Sequence, residues 1–253
     1  MKIALLQYDP IWENKNENKN KILNIINSNN ETFDLLILPE MTLTGFSMRA
    51  MDLAESVQGE TFQFFSELAL QKSIDVLVGI IEKSKQKPYN SLIHINKKGQ
   101  LVKLYRKIHP FSYANENKFF SAGKKPAITK VKNFNIGLSI CYDLRFPELY
   151  RKYAKKKVHL IVNIANWPDT RIEHWRILLR ARAIENQCYV AGVNRVGRDV
   201  KLNYNGYSSV FDPMGNEITY CVNEEKILIV ELHKVFLNEV RAKLPFLEDI
   251  KLI

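Results

Sequence analysis

Short apolar runs, each the length of a single strand, recur down this chain between polar stretches. Residues 2–7, 34–38, 74–81, 134–140, 158–164, 188–193 and 227–231 are such runs. They read as strands buried on both faces, which in turn requires something apolar on each side of a sheet. Helical patterns lie between them. One covers residues 60–72, and the clearest covers 172–187, where Ile177, Leu178, Ala181 and Ile184 make an apolar stripe at helical spacing with Arg176, Arg180 and Glu185 mostly outside it. Two hairpins interrupt the alternation. Residues 89–96 and 101–105 flank Lys97-Lys98-Gly99-Gln100, and residues 207–211 run into Asp212-Pro213-Met214-Gly215, where Pro second and Gly fourth suit a type I turn. The pattern predicts an α/β fold with mixed rather than purely parallel sheets. Two sheets packed together with helices outside would use all these strands; the pattern alone leaves one large sheet equally open.

The 253 residues suffice for one large domain, and no Pro-, Gly- or Ser-rich run or internal repeat divides them. No stretch has the length of a membrane span, and the N-terminus lacks the apolar run of a signal peptide, so the expected setting is the cytoplasm, without membrane association. Cys141, Cys188 and Cys221 are odd in number, widely spaced and free of CxxC, which argues against a disulfide framework and a structural zinc site. The net charge of +10 invites a nucleic-acid reading. No nucleic-acid-binding motif accompanies it, and local runs such as Lys155-Lys156-Lys157 and Lys83, Lys85, Lys87 read as solvated surface. Steering of small acidic substrates is a third reading of the same charge.

Cys141 carries the strongest chemical signal. A buried strand ends at Ile140, and polar Asp143 and Arg145 follow, with Pro147 and Glu148 suiting a helix start. A cysteine on such a turn sits where α/β proteins bind ligands. Free N–H groups and a helix N-terminus nearby would favour a thiolate and a developing oxyanion. Its charged neighbours are wrong for a core position, whereas Cys188 and Cys221 read as structural. Glu40 directly follows another buried strand, and an apolar setting there would raise its pKa toward that of a general base. A surface glutamate opening a loop is an equal reading. Lys107 ends a third strand and could offer a fixed charge to an oxyanion, although Lys103 and Arg106 are equally basic neighbours. His109 and His174 leave a Cys–His arrangement open.

Taken together, LPEM around Glu40, YRKIHPF around Lys107 and CYDLRFPELYR around Cys141 resemble the nitrilase superfamily of carbon–nitrogen hydrolases. The likeness runs in the family's order through NWP, HWRILLRARAIENQCYVAGVNRVG and FDPMGN, and covers nearly the whole chain. It implies a four-layer α-β-β-α sandwich of two mixed sheets, a single carbon–nitrogen hydrolase domain over residues 1–253, and a Glu40–Lys107–Cys141 triad with no metal or organic cofactor. It also implies a supporting glutamate, matched here by Glu116, and pairing into a homodimer. Within the superfamily the motifs are most similar to those of omega-amidases, which hydrolyse the terminal amide of 2-oxo dicarboxylic acid monoamides. Amidases of deaminated glutathione share CYDLRFPEL, and NWP leans toward the first group.

On this reading the Tyr142 backbone N–H joins Lys107 at the oxyanion. Arg145, four residues past the nucleophile, is the expected partner of a substrate carboxylate; a salt bridge to Glu148 or another local acid is the competing reading. Asn166 and Trp167 are expected in the same pocket, with Phe46, Met48 and Tyr113 as apolar walls. A binding protein that kept the fold without the chemistry is the alternative of another class.

Overall fold

The computed structural model describes residues 1–252. The first half of the chain runs β1 (Lys2–Gln7), α1 (Lys15–Asn27), β2 (Leu35–Ile37), α2 (Ala50–Leu53), α3 (Glu60–Lys72), β3 (Asp75–Glu82), β4 (Tyr89–Ile95) and β5 (Leu101–Arg106). The second half runs α4 (Glu116–Phe119), β6 (Ile128–Val131), β7 (Phe134–Ile140), α5 (Pro147–Lys155), β8 (Leu160–Ala165), α6 (Ile172–Asn186), β9 (Tyr189–Asn194), β10 (Val196–Arg198), β11 (Asn203–Phe211), β12 (Glu217–Val222), β13 (Lys226–Glu231) and α7 (Lys234–Lys243).

The strands form two mixed sheets. One has the order β13-β1-β2-β3-β4-β5, the other β10-β11-β9-β8-β7-β6, with β12 paired to β11. In each sheet the central trio is parallel, β1-β2-β3 in the first and β7-β8-β9 in the second, and the flanking strands are antiparallel. Alternate residues of a strand point to opposite faces. Ile3, Leu5, Ile37, Leu77 and Leu92 therefore join the second sheet in one core, while Ala4, Leu6, Leu36, Val76 and Val78 of the same sheet pack with Ile22, Ile26, Phe65 and Leu68 of α1 and α3. Tyr150, Tyr153, Trp175 and Leu179 of α5 and α6 join the core of the second sheet. The four α-β-β-α layers follow from this double burial, and each fully buried large apolar side chain contributes about 1.5–3 kcal/mol.

Both expected hairpins form: β4 pairs with β5 and β11 with β12. The Gly215 N–H donates to the Asp212 carbonyl at 2.9 Å, the bond of the expected turn. Strand ends differ from the sequence expectation by one or two residues, as helix and strand ends commonly do, except that β11 begins at Asn203, four residues before the expected start. The stripe on α6 is the substantive error. Ile177 and Ile184 are 62% and 49% exposed, and the buried face is instead Trp175, Leu179, Arg182, Ala183 and Asn186. Arg182 tolerates burial because its guanidinium donates to the Leu144 carbonyl at 2.8 and 3.2 Å and to Glu185 at 2.9 Å. A hydrophobicity pattern cannot anticipate a polar residue that finds its partners inside. The lysines of the two local runs are exposed, as expected. Among the described residues no helix is long and apolar enough to cross a membrane.

Candidate functional site

The ends of β2, β5, β7 and β8 converge on one buried cluster. Glu40 leaves the end of β2 on a tight turn: Thr42 Oγ1 donates to the Pro39 carbonyl at 2.6 Å, and Met41 takes a left-handed φ of 47°. Strand β3 passes so close that a Cβ on Gly79 would lie 2.6 Å from the Met41 nitrogen, so only glycine fits there. The carboxylate ends up 1% exposed, yet its surroundings are polar rather than apolar. Its Oε1 accepts from Lys107 Nζ at 2.8 Å and Asn90 Nδ2 at 2.7 Å, and its Oε2 accepts from the Asn166 backbone N–H at 2.9 Å.

Lys107 is placed by its own backbone. Its N–H donates to the Asn90 carbonyl at 2.9 Å, and its carbonyl accepts from Gly123 at 2.7 Å. The ammonium also donates to Glu116 Oε2 at 2.8 Å and faces the Phe46 ring 5.4 Å from its centroid. Glu116 is fully buried and also accepts from Asn90 Nδ2 at 2.8 Å and the Phe111 N–H at 2.5 Å. Burial by itself would favour a neutral amine, but the Glu116 and Glu40 carboxylates together hold the Lys107 ammonium above the usual lysine range. The Glu116 carboxyl is raised, mainly by burial, against the pull of Lys107. Two carboxylates around one ammonium leave the cluster one negative charge in excess when both are ionised.

Cys141 follows β7 directly, with φ of 46°. Such a conformation costs a non-glycine residue about 1–3 kcal/mol and persists only where its surroundings hold it. Here Asp143 does much of the holding. Fully buried, it accepts from the Ile140 N–H at 3.0 Å, the Tyr105 hydroxyl at 2.7 Å, and the His109 backbone and Nδ1 at 3.0 and 2.7 Å. One carboxylate thus joins the turn that carries Cys141 to the segment that carries Lys107. The turn itself, Cys141–Arg145, is 3₁₀, and α5 begins only at Pro147. Burial, then the Glu40 carboxylate, push the thiol well above the usual range, against the pull of Lys107. That direction opposes the thiolate that a helix N-terminus would favour.

Neither histidine supports a Cys–His pair. His109 stacks on Phe146 with ring centroids 3.8 Å apart and turns Nδ1 to Asp143, while His174 meets Arg145 Nη2 at 3.1 Å. Cys188 is buried as expected, and burial pushes its thiol up to about 12. Cys221 is buried too, but its thiol meets Gln7 Nε2 at 3.3 Å and Glu224 at 3.5 Å, a polar setting that the sequence reading did not assign to it.

Cys141 opens into a cavity of about 800 Å³ whose lining includes Phe46, Met48, Tyr113, Tyr142, Arg145, Asn166 and Trp167. The six expected pocket residues and Tyr142 thus line one cavity, but Tyr113 and Asn166 differ in part from their expected roles. Tyr113 is 83% exposed and belongs to the rim, not an inner wall. Asn166 turns its side chain to Glu40, donating from Nδ2 to the Glu40 carbonyl at 2.7 Å. Arg145 makes no salt bridge to Glu148 and lies instead over the Trp167 ring, 4.9 Å from its centroid. Sequence reasoning missed Asn90, Asp143 and Arg171. Asn90 is a polar residue inside an apolar strand, a signal that could have been followed. Arg171 lies between Thr170 and Ile172, where nothing in the local pattern singles it out.

Comparison with known proteins agrees with this geometry. The family model described as carbon–nitrogen hydrolase matches residues 2–242. The chain is 33% identical over 251 residues to a 2-oxoglutaramate amidase of Bacillus subtilis, covering 98% of this chain and 97% of that one. It is 38% identical over 228 residues to a 2-oxoglutaramate amidase of Paenarthrobacter nicotinovorans, covering 85% and 78%. A solved CN-hydrolase superfamily protein of Xanthomonas campestris, with an arsenic adduct in its active site, superposes with a TM-score of 0.95 at 32% identity, covering 100% of this chain and 98% of the other. The four-layer sandwich, the converging strand ends and these likenesses agree: the chain belongs to the carbon–nitrogen hydrolase family.

Proposed function

We propose that this protein is an amidase that releases ammonia from the terminal amide of a small carboxylate-bearing molecule, a 2-oxo dicarboxylic acid monoamide such as 2-oxoglutaramate or 2-oxosuccinamate. One observation carries the reading. A buried thiol, flanked by Glu40 and Lys107, lies at the inner end of a cavity that also holds Arg145, a guanidinium with no carboxylate partner among the described residues. The relatives named for 2-oxoglutaramate supply the substrate class.

The thiol of Cys141 attacks the amide carbon while Glu40 takes its proton, so no thiolate need exist beforehand. The Lys107 ammonium and the Tyr142 backbone N–H stabilise the oxyanion. Glu40 returns the proton to the departing nitrogen, and ammonia leaves behind a thioester on Cys141. Water, activated by Glu40, then adds to the thioester, and the acid and the free thiol are released. Glu116 keeps Lys107 charged and in place. Arg145 pairs with the remote carboxylate in bidentate fashion.

The exposed Ile177 and Ile184, seven residues apart on α6, offer an apolar strip that a second copy of the chain would cover, giving a homodimer. Three free cysteines suit a reducing cytoplasm. Ammonia release from 2-oxoglutaramate and from pentanamide, by the parent and by Cys141→Ala, tests the activity. Turnover of neither substrate by the parent would overturn it.

A further inference from the structure

The cavity carries six charged side chains: Glu13, Arg49, Arg145, Arg171, Asp199 and Lys201. Three of them are already committed. Glu13 pairs with Arg49 at 2.8 Å, and Arg49 also reaches Asp52 at 3.1 Å. Asp199 accepts from the backbone N–H groups of Lys201 and Leu202, both at 2.7 Å, and from the Tyr204 hydroxyl at 2.6 Å. Lys201 is an exposed residue of the rim. Arg145 and Arg171 remain, half-buried and without a carboxylate on either among the described residues.

Trp167 ties the two together. Its ring lies under the Arg145 guanidinium, and its Nε1 donates to the Arg171 carbonyl at 2.8 Å. The Arg171 guanidinium in turn approaches the Phe111 ring, 5.8 Å from its centroid. Burial lowers the pKa of Arg145, and Arg171 lowers it further by like-charge repulsion, so the two cations feel each other across the pocket. Each guanidinium has five N–H donors. Among the described residues, the one engagement of these outside the rings is Arg145 with His174 Nδ1. Two repelling, donor-rich cations beside an apolar wall are stabilised by an anion with several acceptors, and they oppose any added positive charge.

We propose that Arg171 is the second arm of a two-guanidinium subsite that receives the 2-oxo acid end of the substrate and rejects a 2-ammonium in the same place. This rests on the amidase reading above and adds to it a residue and a basis for selection. A 2-oxo acid brings one negative charge and a further carbonyl acceptor next to it. An amino-acid amide of the same length, such as glutamine, brings the same carboxylate but puts a cation where the carbonyl would be. With Arg171 in place, three positive groups would then crowd around one carboxylate.

The test compares kcat/KM of the parent, Arg171→Met and Arg171→Lys on 2-oxoglutaramate, glutaramate, glutamine and pentanamide. Among the described residues the Arg171 side chain makes no hydrogen bond, and its backbone carbonyl still accepts from Trp167 in either variant. Pentanamide turnover therefore serves as the control for folding. Arg171→Met should lose about tenfold or more on 2-oxoglutaramate, the scale of one charge-assisted hydrogen bond. It should lose less on glutaramate, stay unchanged on pentanamide, and move the 2-oxoglutaramate-to-glutamine ratio toward glutamine. Arg171→Lys should recover part of that ratio by restoring the charge without the fork. An unchanged ratio in Arg171→Met, or equal losses on all four substrates, overturns the proposal. A parent that shows no preference for 2-oxoglutaramate over pentanamide overturns the carboxylate reading itself, and the role of Arg171 with it. A parent with that preference, kept intact in Arg171→Met, overturns the role of Arg171 alone.

Discussion

The floor and the mouth of the cavity are built on opposite principles. On the floor, Glu40, Lys107 and Glu116 are each at most 1% exposed, and each ionised group is met by an opposite charge or an N–H donor. At the mouth, Arg145 and Arg171 are half-exposed, repel each other and have no carboxylate among the described residues. The difference separates two tasks. A transition state gains most from charges fixed before it forms, because nothing then has to reorganise. Recognition gains from groups whose partner is missing until the ligand arrives. Substitutions on the floor should therefore change turnover for every amide, and substitutions at the mouth should change which amide is preferred.

The largest effect is expected at the nucleophile. Cys141→Ala should abolish ammonia release on all substrates, while Cys188→Ala and Cys221→Ala retain it apart from any packing loss. Wild-type turnover in Cys141→Ala would break the division at its root. Next come the charge partners. Glu40→Gln cannot take the proton, and Lys107→Met removes one oxyanion donor, for which a loss of about 10²–10³-fold in kcat is typical. Without its ammonium the site also holds two carboxylates that cannot both stay ionised, so Lys107→Met should bind a proton on folding, readable as a pH-dependent melting temperature.

Asp143 sharpens the comparison because it never faces the cavity, yet it bolts the Cys141 turn to the Lys107 segment. Asp143→Asn keeps the shape and replaces one acceptor oxygen with a donor. It should lower kcat on neutral and acidic amides alike, with KM little changed. A loss confined to KM would assign Asp143 to the mouth rather than the floor. Arg145→Met should act in the opposite sense, costing about tenfold or more on 2-oxoglutaramate and much less on pentanamide. Arg145→Lys should fall between, since it keeps the charge but not the planar fork.

The smallest effect lies outside both regions. Burial, together with Lys234 and Arg241, lowers the pKa of His159 from 6.5 to about 4, and its Nδ1 accepts from the Asn135 N–H at 2.8 Å. The folded state prefers the neutral ring. His159 thus contributes stability that is present above pH 6.5 and is lost as pH falls toward 4. The melting temperature should drop by about a few degrees over that window, and His159→Gln should flatten the drop. A slope that survives the substitution would belong to another group.

Much of the fold was legible in the residues because strands buried on both faces leave an unbroken apolar run, and seven such runs survive as strands with small shifts at their ends. The hairpin turns were equally legible, since Gly99 and Gly215 take the positive φ that their turns require. Helix α1 was not, because KNENKNKILNIIN offers little beyond Ile22 and Ile26 as a buried apolar stripe. Local pattern singled out Cys141 but left Glu40 and Lys107 among equal alternatives, and only the family resemblance set the three together. Tertiary structure decided the rest. The inner face of α6 depends on Arg182 finding the Leu144 carbonyl across 38 residues, which no periodicity encodes. Asn90 reaches Glu40 across 50 residues, Asp143 reaches Tyr105 across 38, and the repulsion between Arg145 and Arg171 exists only because two loops share a cavity. Sequence determined which groups the chain carries and where strands end; distance and burial, which arise only once the sheets pack, decided which groups are paired and which are not.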